Sequence, residues 1–305
     1  MKHPLRERRS SFRNNWGLYL LLLPALVYAL IFLYLPMVGV VIAFTDYSPT
    51  KGFFGSPWVG IKYFKKFFES YNFWQIFYNT VALSFYNLIA TFPIPIIFAL
   101  LLNQMRLRSL KKVIQTASYA PYFISVVVLV GMMNVFFSPS SGIVNVVIKM
   151  LGGTPVYFMG KPELFRPIYV WTNVWQTTGR SAIIYIAALT GVSMDLHEAA
   201  MVDGANKLQR TLHIDIPGIL PTAIIMLILN LGQIMSIGFE KAYLMQNTLN
   251  ITASEIISTY VYKIGLLGAQ FSFSTAIGLF NSVINFAMVV GVNMLSRKLS
   301  DTSLW

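Results

Sequence analysis

Long apolar runs separated by shorter polar segments form the main pattern of this chain. Several of these runs reach about 20 residues with almost no acidic or basic side chain, and a helix of that length crosses roughly 30 Å of hydrocarbon. We therefore predict an all-α integral membrane protein with six transmembrane helices. The predicted spans are residues 17–44, 75–103, 113–137, 166–192, 218–239 and 272–295.

The first apolar run follows a short basic segment, residues 1–16, and contains no charge from Leu18 to Phe44. A cleaved signal peptide has a shorter apolar core that ends in a small-residue cleavage pattern. Neither property fits this run, so we predict an uncleaved first helix.

The composition agrees with a membrane protein. Apolar residues make up 56% of the chain and charged residues 11%, whereas about 25% of an ordinary soluble domain is charged. The formal net charge is +12, but the basic residues lie between apolar runs, which favours topology signals and contact with anionic lipid over nucleic acid. The chain has no cysteine, so disulfides, thiol catalysis and cysteine-ligated metals are excluded.

Lysine and arginine residues predict the orientation in the membrane. The segments 1–15, 104–112, 193–217 and 296–305 hold 13 of them in 59 positions, whereas the alternate loops 45–74, 138–165 and 240–271 hold 8 in 90. Because short loops rich in these residues stay in the cytoplasm, the denser side is predicted to be cytoplasmic. Both termini, including the tail 297–305, are expected there.

Two of the outer loops are expected to have local structure. Residues 61–74 place aromatic side chains near helical spacing with lysines between them. This pattern predicts a short helix at the membrane interface, which completes an N-terminal unit of residues 17–74; a partner-binding surface is the alternative. Residues 138–165 are rich in Ser, Gly and Pro and are predicted to form a looped excursion.

A polar segment, residues 194–217, separates the fourth and fifth predicted spans. Helix-forming residues follow Ser193 or Asp195, either of which suits an N-cap, and Gly204 separates them from a second short helical pattern. Pro217 is expected to break this pattern before the fifth span. Two short helices joined at a glycine could insert into a groove of a cytosolic protein, although an ordinary amphipathic connector would have the same pattern.

This segment resembles the cytoplasmic EAA loop of ABC importer permeases. The match consists of Glu198-Ala199-Ala200, Asp203-Gly204-Ala205 and Ile214-x-x-Pro217-x-x-x-Pro221. Most of the chain is similar to the LplB-type carbohydrate permeases, through Pro24 and Pro36, Trp58-Val59-Gly60, Asn79-Thr80, Gly179 to Leu189, and Ser300 to Trp305. The resemblance implies the type I ABC importer permease fold, with a transmembrane core over residues 75–296 and a cytoplasmic coupling helix.

The same resemblance implies one permease subunit of an ATP-driven importer that works by alternating access. Its substrates would be oligosaccharides from complex polysaccharides, including uronate-containing ones, and its location the cytoplasmic membrane of a Gram-positive bacterium. The expected partners are a second homologous permease, two copies of a cytosolic ATPase that binds ATP and Mg²⁺, an extracellular lipoprotein that binds the substrate, and membrane lipid. No cofactor is expected on this chain itself.

In this family the EAA loop docks into a cleft on the ATPase. By resemblance, Glu198 would place a charge near basic or amide donors of the ATPase or cap a helix terminus, and Gly204 would permit the turn. The implied ATPase-coupling residues are Glu198, Ala199, Ala200, Asp203, Gly204, Ala205 and Pro217.

Arg180 is a strong charge near the middle of the fourth predicted span. A charge at that depth is costly and normally faces a cavity or a partner. The family usually carries an aromatic residue after the glycine that corresponds to Gly179, so this chain departs from the pattern there. We predict that Arg180 contributes to substrate recognition through a bidentate hydrogen bond to an acidic sugar; the alternatives are a pair with another helix or a misplaced span.

Aromatic and amide side chains within the spans are further candidates for the substrate path, since sugars need stacking surfaces and many hydrogen-bond partners. Amides in spans also join helices to each other, so each of them has a structural alternative. The candidates are Asn173, Trp175, Gln176 and Tyr185 with Trp171 nearby, Asn134 in the third span, and Asn230 and Gln233 in the fifth.

Two other classes of protein have less support. His3, His197 and His213 lack ligand spacing, and the latter two are expected to be solvated or to contact a partner. No Walker-type phosphate loop and no acidic pair within a span occurs in the sequence, so an ATPase site, a metal site and an intramembrane enzyme are not predicted. An ion channel would need a filter motif or an arginine ladder, and neither is present.

Overall fold

Helices and the turns between them form residues 15–299, the part of the chain that this computed structural model describes. The α-helices are α1 (Trp16–Ala29), α2 (Gly52–Gly55), α3 (Lys62–Phe68), α4 (Phe73–Thr91), α5 (Pro93–Asn103), α6 (Arg108–Tyr119), α7 (Val126–Phe136), α8 (Ile143–Met150), α9 (Pro162–Thr190), α10 (Met194–Val202), α11 (Lys207–Arg210), α12 (Ile216–Leu231), α13 (Phe239–Met245), α14 (Ile251–Ser254), α15 (Ile257–Tyr262) and α16 (Phe271–Leu299). Within this range, extended pairing is limited to one isolated bridge between Thr45 and Trp58. The predicted tails 1–16 and 297–305, with the motif Ser300 to Trp305, lie largely outside the described residues.

Four helical segments of the described chain are long and apolar enough to cross a membrane. They are Trp16–Phe44, Phe73–Asn103, Lys207–Leu231 and Phe271–Arg297, which overlap the first, second, fifth and sixth predicted spans. A bent pair of helices in the third predicted region raises the number to five. The predicted all-α architecture is therefore confirmed for the described residues, while the count of six spans stays a prediction.

The third predicted span, residues 113–137, is wrong as one continuous helix. α6 with its following turn is bent by 99° relative to α7. Pro121 lies in that turn, and the side-chain oxygen of Ser125 then accepts a hydrogen bond from the N–H of Val128 and begins α7. Proline lacks the N–H that would continue a helix, and the serine N-cap starts a new helix axis.

α9 occupies the fourth predicted span and lies at the centre of the structure. It packs against α4, α5, α6 and α12 and buries nine of its 29 residues. It is absent from the apolar segments above because it carries Arg166, Arg180 and several amides and hydroxyls. Polar side chains in membrane helices normally face other helices or a water-filled cavity, which agrees with the central position of α9.

The fifth predicted span, residues 218–239, differs from the structure at both ends. α12 ends at Leu231, and the turns before α13 contain Gly232 and Gly238. At the other end, α11, a π turn over Thr211–Asp215 and α12 form one helical run, so Pro217 does not separate the coupling loop from the span. Pro217 lies in the first turn of α12, directly after the π turn, where the hydrogen-bonding pattern already changes.

The first span has two parts with different surroundings. Leu35–Phe44, which continues α1 as a 3₁₀ helix, packs against α16 and buries Ala43. In contrast, no residue of the preceding part, Trp16–Tyr34, is buried. This part therefore offers its apolar surface to lipid or to another membrane protein.

The outer segment 61–74 forms α3 and the start of α4. Phe67 on α3 is 1% exposed, and its ring packs edge-on against that of Phe280 on α16. Nζ of Lys66 lies 4.5 Å from the ring centre of Phe273, also on α16. The short helix that the aromatic pattern predicted is present and is held on one end of α16, while its location at the membrane interface stays a prediction.

Residues 138–165 are more ordered than the predicted looped excursion, since they contain α8 and a 3₁₀ turn over Phe158–Gly160. Asn145 on α8 is fully buried and organises the segment. Its Nδ2 donates to the backbone oxygens of Ser138 and Val156 at 3.0 and 2.9 Å, and its Oδ1 accepts from the N–H of Val156. A buried amide that satisfies three backbone groups replaces the regular hydrogen bonds that a longer helix would provide.

Candidate functional site: the coupling loop and a polar cavity

Gly204 ends α10 in a Schellman motif. Its N–H donates to the carbonyl oxygen of Met201 at 3.1 Å, and the N–H of Ala205 donates to that of Ala200 at 2.8 Å. The motif needs a residue in the left-handed region, and Gly204 has a φ of +80°. Glycine reaches this conformation without the cost of about 1–2 kcal/mol that a β-carbon adds. The glycine joint predicted between two short helices is therefore present.

Side-chain caps begin both helices of the loop. Oγ of Ser193 accepts from the N–H of Asp195 at 3.2 Å, so Ser193 is the N-cap of α10. Asn206 and Gln209 form a capping box at the start of α11, in which each side-chain oxygen accepts from the other residue's N–H at 2.8–2.9 Å. These local bonds stabilise a helix–glycine–helix segment although α10 buries none of its own residues.

Four of the seven predicted coupling residues line one groove. The groove lies between α10 and α11, has a volume of about 360 Å³, and is lined in part by Ala200, Asp203, Gly204 and Ala205. Glu198 and Ala199 are exposed on α10. Pro217 lies apart, beside a second groove of about 530 Å³ at the start of α12. The loop thus has two open grooves and an exposed carboxylate, that of Glu198, on α10.

Asp215 is a buried carboxylate beneath the loop, 1% exposed. Its Oδ1 lies 3.2 Å from Nε2 of His197 on α10, and its Oδ2 lies 3.5 Å from Nε2 of Gln104 after α5. The same Nε2 of Gln104 donates to Oγ1 of Thr211 at 2.7 Å. Of the two roles expected for His197, solvation is wrong, because its side chain is 16% exposed and lies against Asp215. Contact with a partner stays a prediction. Oδ1 of Asp215 has no hydrogen-bond partner in the described chain.

A polar cavity of about 230 Å³ lies among α4, α9 and the segment that follows α12. Three of the predicted substrate-path residues, Asn173, Asn230 and Gln233, line it together. Its other polar lining residues are Ser84, Asn87, Thr91, Tyr169 and Ser236, and no charged side chain is among the described lining residues. The cavity therefore offers amides and hydroxyls to a ligand, which is the chemistry that binds neutral sugar hydroxyl groups.

One wall of the cavity contains a hydroxyl group without a partner. Ser84 is 3% exposed, and its Oγ has no hydrogen-bond partner in the described chain. On the neighbouring helix, Nδ2 of Asn173 donates to Oδ1 of Asn87 at 2.8 Å. A buried polar atom normally has a partner, and the buried Oγ of Ser84 is therefore an unsatisfied polar group next to the cavity.

Sequence reasoning did not identify Ser84, Asn87 or Ser236. A signal for the first two was present, because Ser84, Asn87 and Thr91 recur at spacings of three and four residues and so share one face of the second span. A polar stripe on an otherwise apolar helix indicates contact with other helices or with water. Ser236 lies in the turns after α12 and has no such periodicity.

Gln176 and Tyr185 are packed inside the helix bundle and do not line the cavity. Nε2 of Gln176 donates to the carbonyl oxygen of Ile124 at 2.8 Å, which attaches α9 to the bend between α6 and α7. Tyr185 is 3% exposed and belongs to a hydrophobic cluster with Ala99 and Ile219. Both side chains thus have structural contacts.

Arg180, Trp175, Trp171 and Asn134 are exposed on the surface of this subunit rather than in the cavity. The guanidinium carbon of Arg180 lies 4.4 Å from the ring centre of Tyr122, in the bend between α6 and α7. The adjacent Gly179 permits a close helix contact, because a β-carbon there would lie 2.1 Å from the carbonyl oxygen of Ser118. Arg180 is therefore positioned where α9 touches α6.

Known permease proteins resemble this chain over nearly its whole length. Protein LplB of Bacillus subtilis (strain 168) is 43% identical over 293 residues, which cover 96% of this chain and 92% of LplB. The polygalacturonan/rhamnogalacturonan transport system permease protein YteP of the same organism is 41% identical, over 94% of this chain and 90% of YteP.

Solved structures share the fold. A chain from the crystal structure of a bacterial ABC transporter involved in the import of the acidic polysaccharide alginate has a TM-score of 0.90 and 37% identity, and the match covers 96% of this chain and 99% of that one. A second structure, of a bacterial alginate ABC transporter in complex with an alginate pentasaccharide-bound periplasmic protein, matches with the same TM-score over 97% of this chain and 99% of that one. The predicted type I ABC importer permease fold is therefore supported, apart from the number of spans.

The family match includes the coupling loop and the cavity walls formed by α9 and by the segment at the end of α12, but not the α4 wall. Residues 92–301 fit the model of the binding-protein-dependent transport system inner membrane component, a range that contains α9, the coupling loop and α12. The chain therefore belongs to the family of binding-protein-dependent transport system inner membrane components, the permease subunits of ABC transporters.

Proposed function

We propose that this chain is a permease subunit of an ATP-driven importer of oligosaccharides. The observation that carries the proposal is the coupling loop, a capped helix that buries none of its own residues and ends at the left-handed Gly204. Short helices are marginal without tertiary contacts, so a helix presented in this way is suited to a protein partner. In an importer, that partner is the ATPase.

The proposed assembly contains a second homologous permease, two copies of the ATPase with ATP and Mg²⁺, and an extracellular lipoprotein that delivers the substrate. The unburied apolar surface of Trp16–Tyr34 supports a neighbour within the membrane. The family description includes dependence on a binding protein, and the alginate transporter was solved with a periplasmic protein bound. We further propose six spans, with α9 as the fourth, and cytoplasmic termini in the cell membrane of a Gram-positive bacterium, since LplB and YteP are both proteins of Bacillus subtilis.

One continuous helical run connects the coupling loop to the cavity, which suits alternating access. Lys207–Leu231 is one helical run of 25 residues, about 37 Å long at 1.5 Å per residue. One end of the run belongs to the coupling loop, and the other end carries Asn230 in the wall of the cavity. ATP-driven closure of the ATPases would therefore displace the cavity wall when it displaces the loop.

The substrate class we propose is uronate-containing oligosaccharides from complex polysaccharides. YteP is named for polygalacturonan and rhamnogalacturonan transport, and the similar solved transporter is involved in the import of the acidic polysaccharide alginate. The cavity of this chain supplies hydrogen bonds for hydroxyl groups and no charge among its described lining residues. We therefore propose that the carboxylate is recognised outside the cavity, by the exposed Arg180 on α9.

Reconstitution tests the transport function. The tagged chain is purified from its source membrane with the proteins that accompany it, and uptake of trigalacturonate and of neutral maltotriose is measured in proteoliposomes. We expect an ATPase to co-purify and uptake to require both ATP and the substrate-binding protein. Ion conductance without ATP would support a channel instead, and chemical conversion of the sugar would support an intramembrane enzyme.

Arg180→Ala is expected to reduce trigalacturonate uptake about tenfold and to leave maltotriose uptake unchanged, because a charge-assisted bidentate hydrogen bond contributes about 1.5–3 kcal/mol. Arg180→Lys retains the charge but loses the planar fork, so an intermediate rate is expected. Uptake of both sugars is compared in the same vesicles. An equal, small effect on the two sugars would contradict the carboxylate role.

A further inference from the structure

The buried Asp215 lies where three segments of the cytoplasmic side meet. Its carboxylate is within 3.2 Å of His197 on α10 and within 3.5 Å of Gln104 after α5, and the residue itself belongs to the π turn that leads into α12. A carboxylate that is 1% exposed is unfavourable unless a donor or a positive charge faces it. The sequence therefore retains a costly group at this junction.

α10 has no other polar side-chain attachment to the rest of the described chain. None of its nine residues is buried, and the hydrogen bond at its start comes from its own N-cap Ser193. Both of its connections contain a glycine, Gly191 before it and Gly204 after it. Without the contact between His197 and Asp215, α10 could turn on these connections while the spans stay in place.

Gln104, directly after α5, extends the junction to the end of the second predicted span. Its side chain donates to Thr211 at 2.7 Å, within the same π turn that contains Asp215. π turns in α-helices occur frequently at functional sites. The cluster of Asp215, His197, Gln104 and Thr211 thus connects the coupling helix to two spans at one buried point.

We propose that Asp215 is a positioning residue that fixes the coupling helix α10 to the second and fifth spans, so that all three move as one body. His197 is the contact on the coupling helix, and Gln104 is the contact at the residue that follows the second span. This inference rests on the proposed function and names residues outside the exposed coupling surface. Because coupling between two sites is reciprocal, this contact would transmit a change at the coupling helix to the spans and a change in the spans to the coupling helix.

His197→Ala removes the contact without altering the buried residue. We expect the amount of assembled transporter and its basal ATP hydrolysis to stay within about twofold of the wild type, and trigalacturonate imported per ATP to fall about fivefold. The stimulation of ATP hydrolysis by the sugar-loaded binding protein should fall together with the sugar imported per ATP. His197→Gln retains a polar side chain that can contact Asp215 and is expected to recover most of the lost coupling, whereas a purely structural role would lower the amount of protein and leave the ratio unchanged.

A disulfide provides a rescue that does not depend on the histidine. A β-carbon on Gly218 would lie 3.8 Å from the β-carbon of Val192, within the range of about 3.5–4.5 Å found in disulfides. This chain has no cysteine of its own, so Val192→Cys with Gly218→Cys adds one defined pair between the turn before α10 and α12. In the His197→Ala background, oxidation should restore sugar imported per ATP, and reduction of the same vesicles should remove it again.

Different results would contradict the transport function and the role of Asp215. A wild-type assembly that shows no ATP-dependent uptake would overturn the proposed function, and the role of Asp215 with it. Wild-type coupling together with an unchanged ratio in His197→Ala would overturn the role of Asp215 alone. A disulfide that forms, as measured by mass spectrometry, without restoring the ratio in His197→Ala would also overturn it.

Discussion

Replacement of Gly204 by aspartate is expected to reduce uptake by about tenfold or more, while the protein stays in the membrane and ATP hydrolysis continues. The left-handed backbone costs a residue with a side chain about 1–2 kcal/mol, so the fold should survive. A β-carbon at Gly204 would meet no atom within 4 Å. The new carboxylate would therefore enter the open groove beside Asp203, where we place the ATPase. Uptake and ATP hydrolysis are measured in the same proteoliposomes.

Gly152→Asp is the matched control. Gly152 has a φ of +81° and also has no atom within 4 Å of a β-carbon, but it follows α8 and lies outside the coupling loop. The two substitutions thus add the same side chain at nearly the same backbone conformation. Equal losses of uptake in both would show that backbone strain, rather than a blocked docking surface, explains the result. Glu198→Lys reverses an exposed charge on α10 without a backbone effect and should uncouple in the same way as Gly204→Asp.

The coupling loop was predictable in detail because its structure depends on neighbouring residues. The N-cap at Ser193 and the left-handed Gly204 are set by hydrogen bonds within a few positions along the chain. Even here, one local prediction was wrong. Pro217 does not end the second helix, because the π turn before it carries the helical run into α12.

The path of the third span was not predictable from hydropathy. Hydropathy is averaged over about 19 residues, so it cannot locate a break of a few residues such as that between Pro121 and Ser125. α9 shows the opposite case, since it is too polar for a composition test but was predicted as a helix at nearly its observed position. Its role as a membrane span stays a prediction. Its polarity follows from contacts with other helices, which the sequence does not display.

The candidate site could be predicted only in part for a similar reason. Asn173, Asn230 and Gln233 were identified because amides are unusual in apolar spans, and the structure brings them to one cavity. The pairing of Asp215 with Gln104 joins residues 111 positions apart. No periodicity or local motif connects such a pair, so the junction beneath the coupling helix appears only when the spans are packed together.

Asn173→Leu is expected to raise the KM for trigalacturonate about tenfold. Leucine has nearly the same size and shape as asparagine but offers no donor or acceptor to a sugar hydroxyl in the cavity. It would also leave Oδ1 of Asn87 without its donor, which now lies at 2.8 Å. A buried polar group that loses its partner costs about 1–3 kcal/mol, and a tenfold change in affinity corresponds to about 1.4 kcal/mol. The measurement is the sugar dependence of ATP-driven uptake.

Thr178→Val is the control on the same helix, because Thr178 does not line the cavity. Its Oγ1 donates to the carbonyl oxygen of Val174 within α9 at 2.6 Å. Its KM should be unchanged. Gln233→Leu removes an amide that reaches the cavity from the segment after α12, so its KM should rise as in Asn173→Leu. A raised KM in both variants, together with a normal KM in the control, would place the sugar between α9 and the segment after α12. The second of these walls follows the helical run that begins in the coupling loop. A normal KM in Asn173→Leu at normal protein levels would instead place the path on the exposed face of α9, beside Trp175 and Arg180.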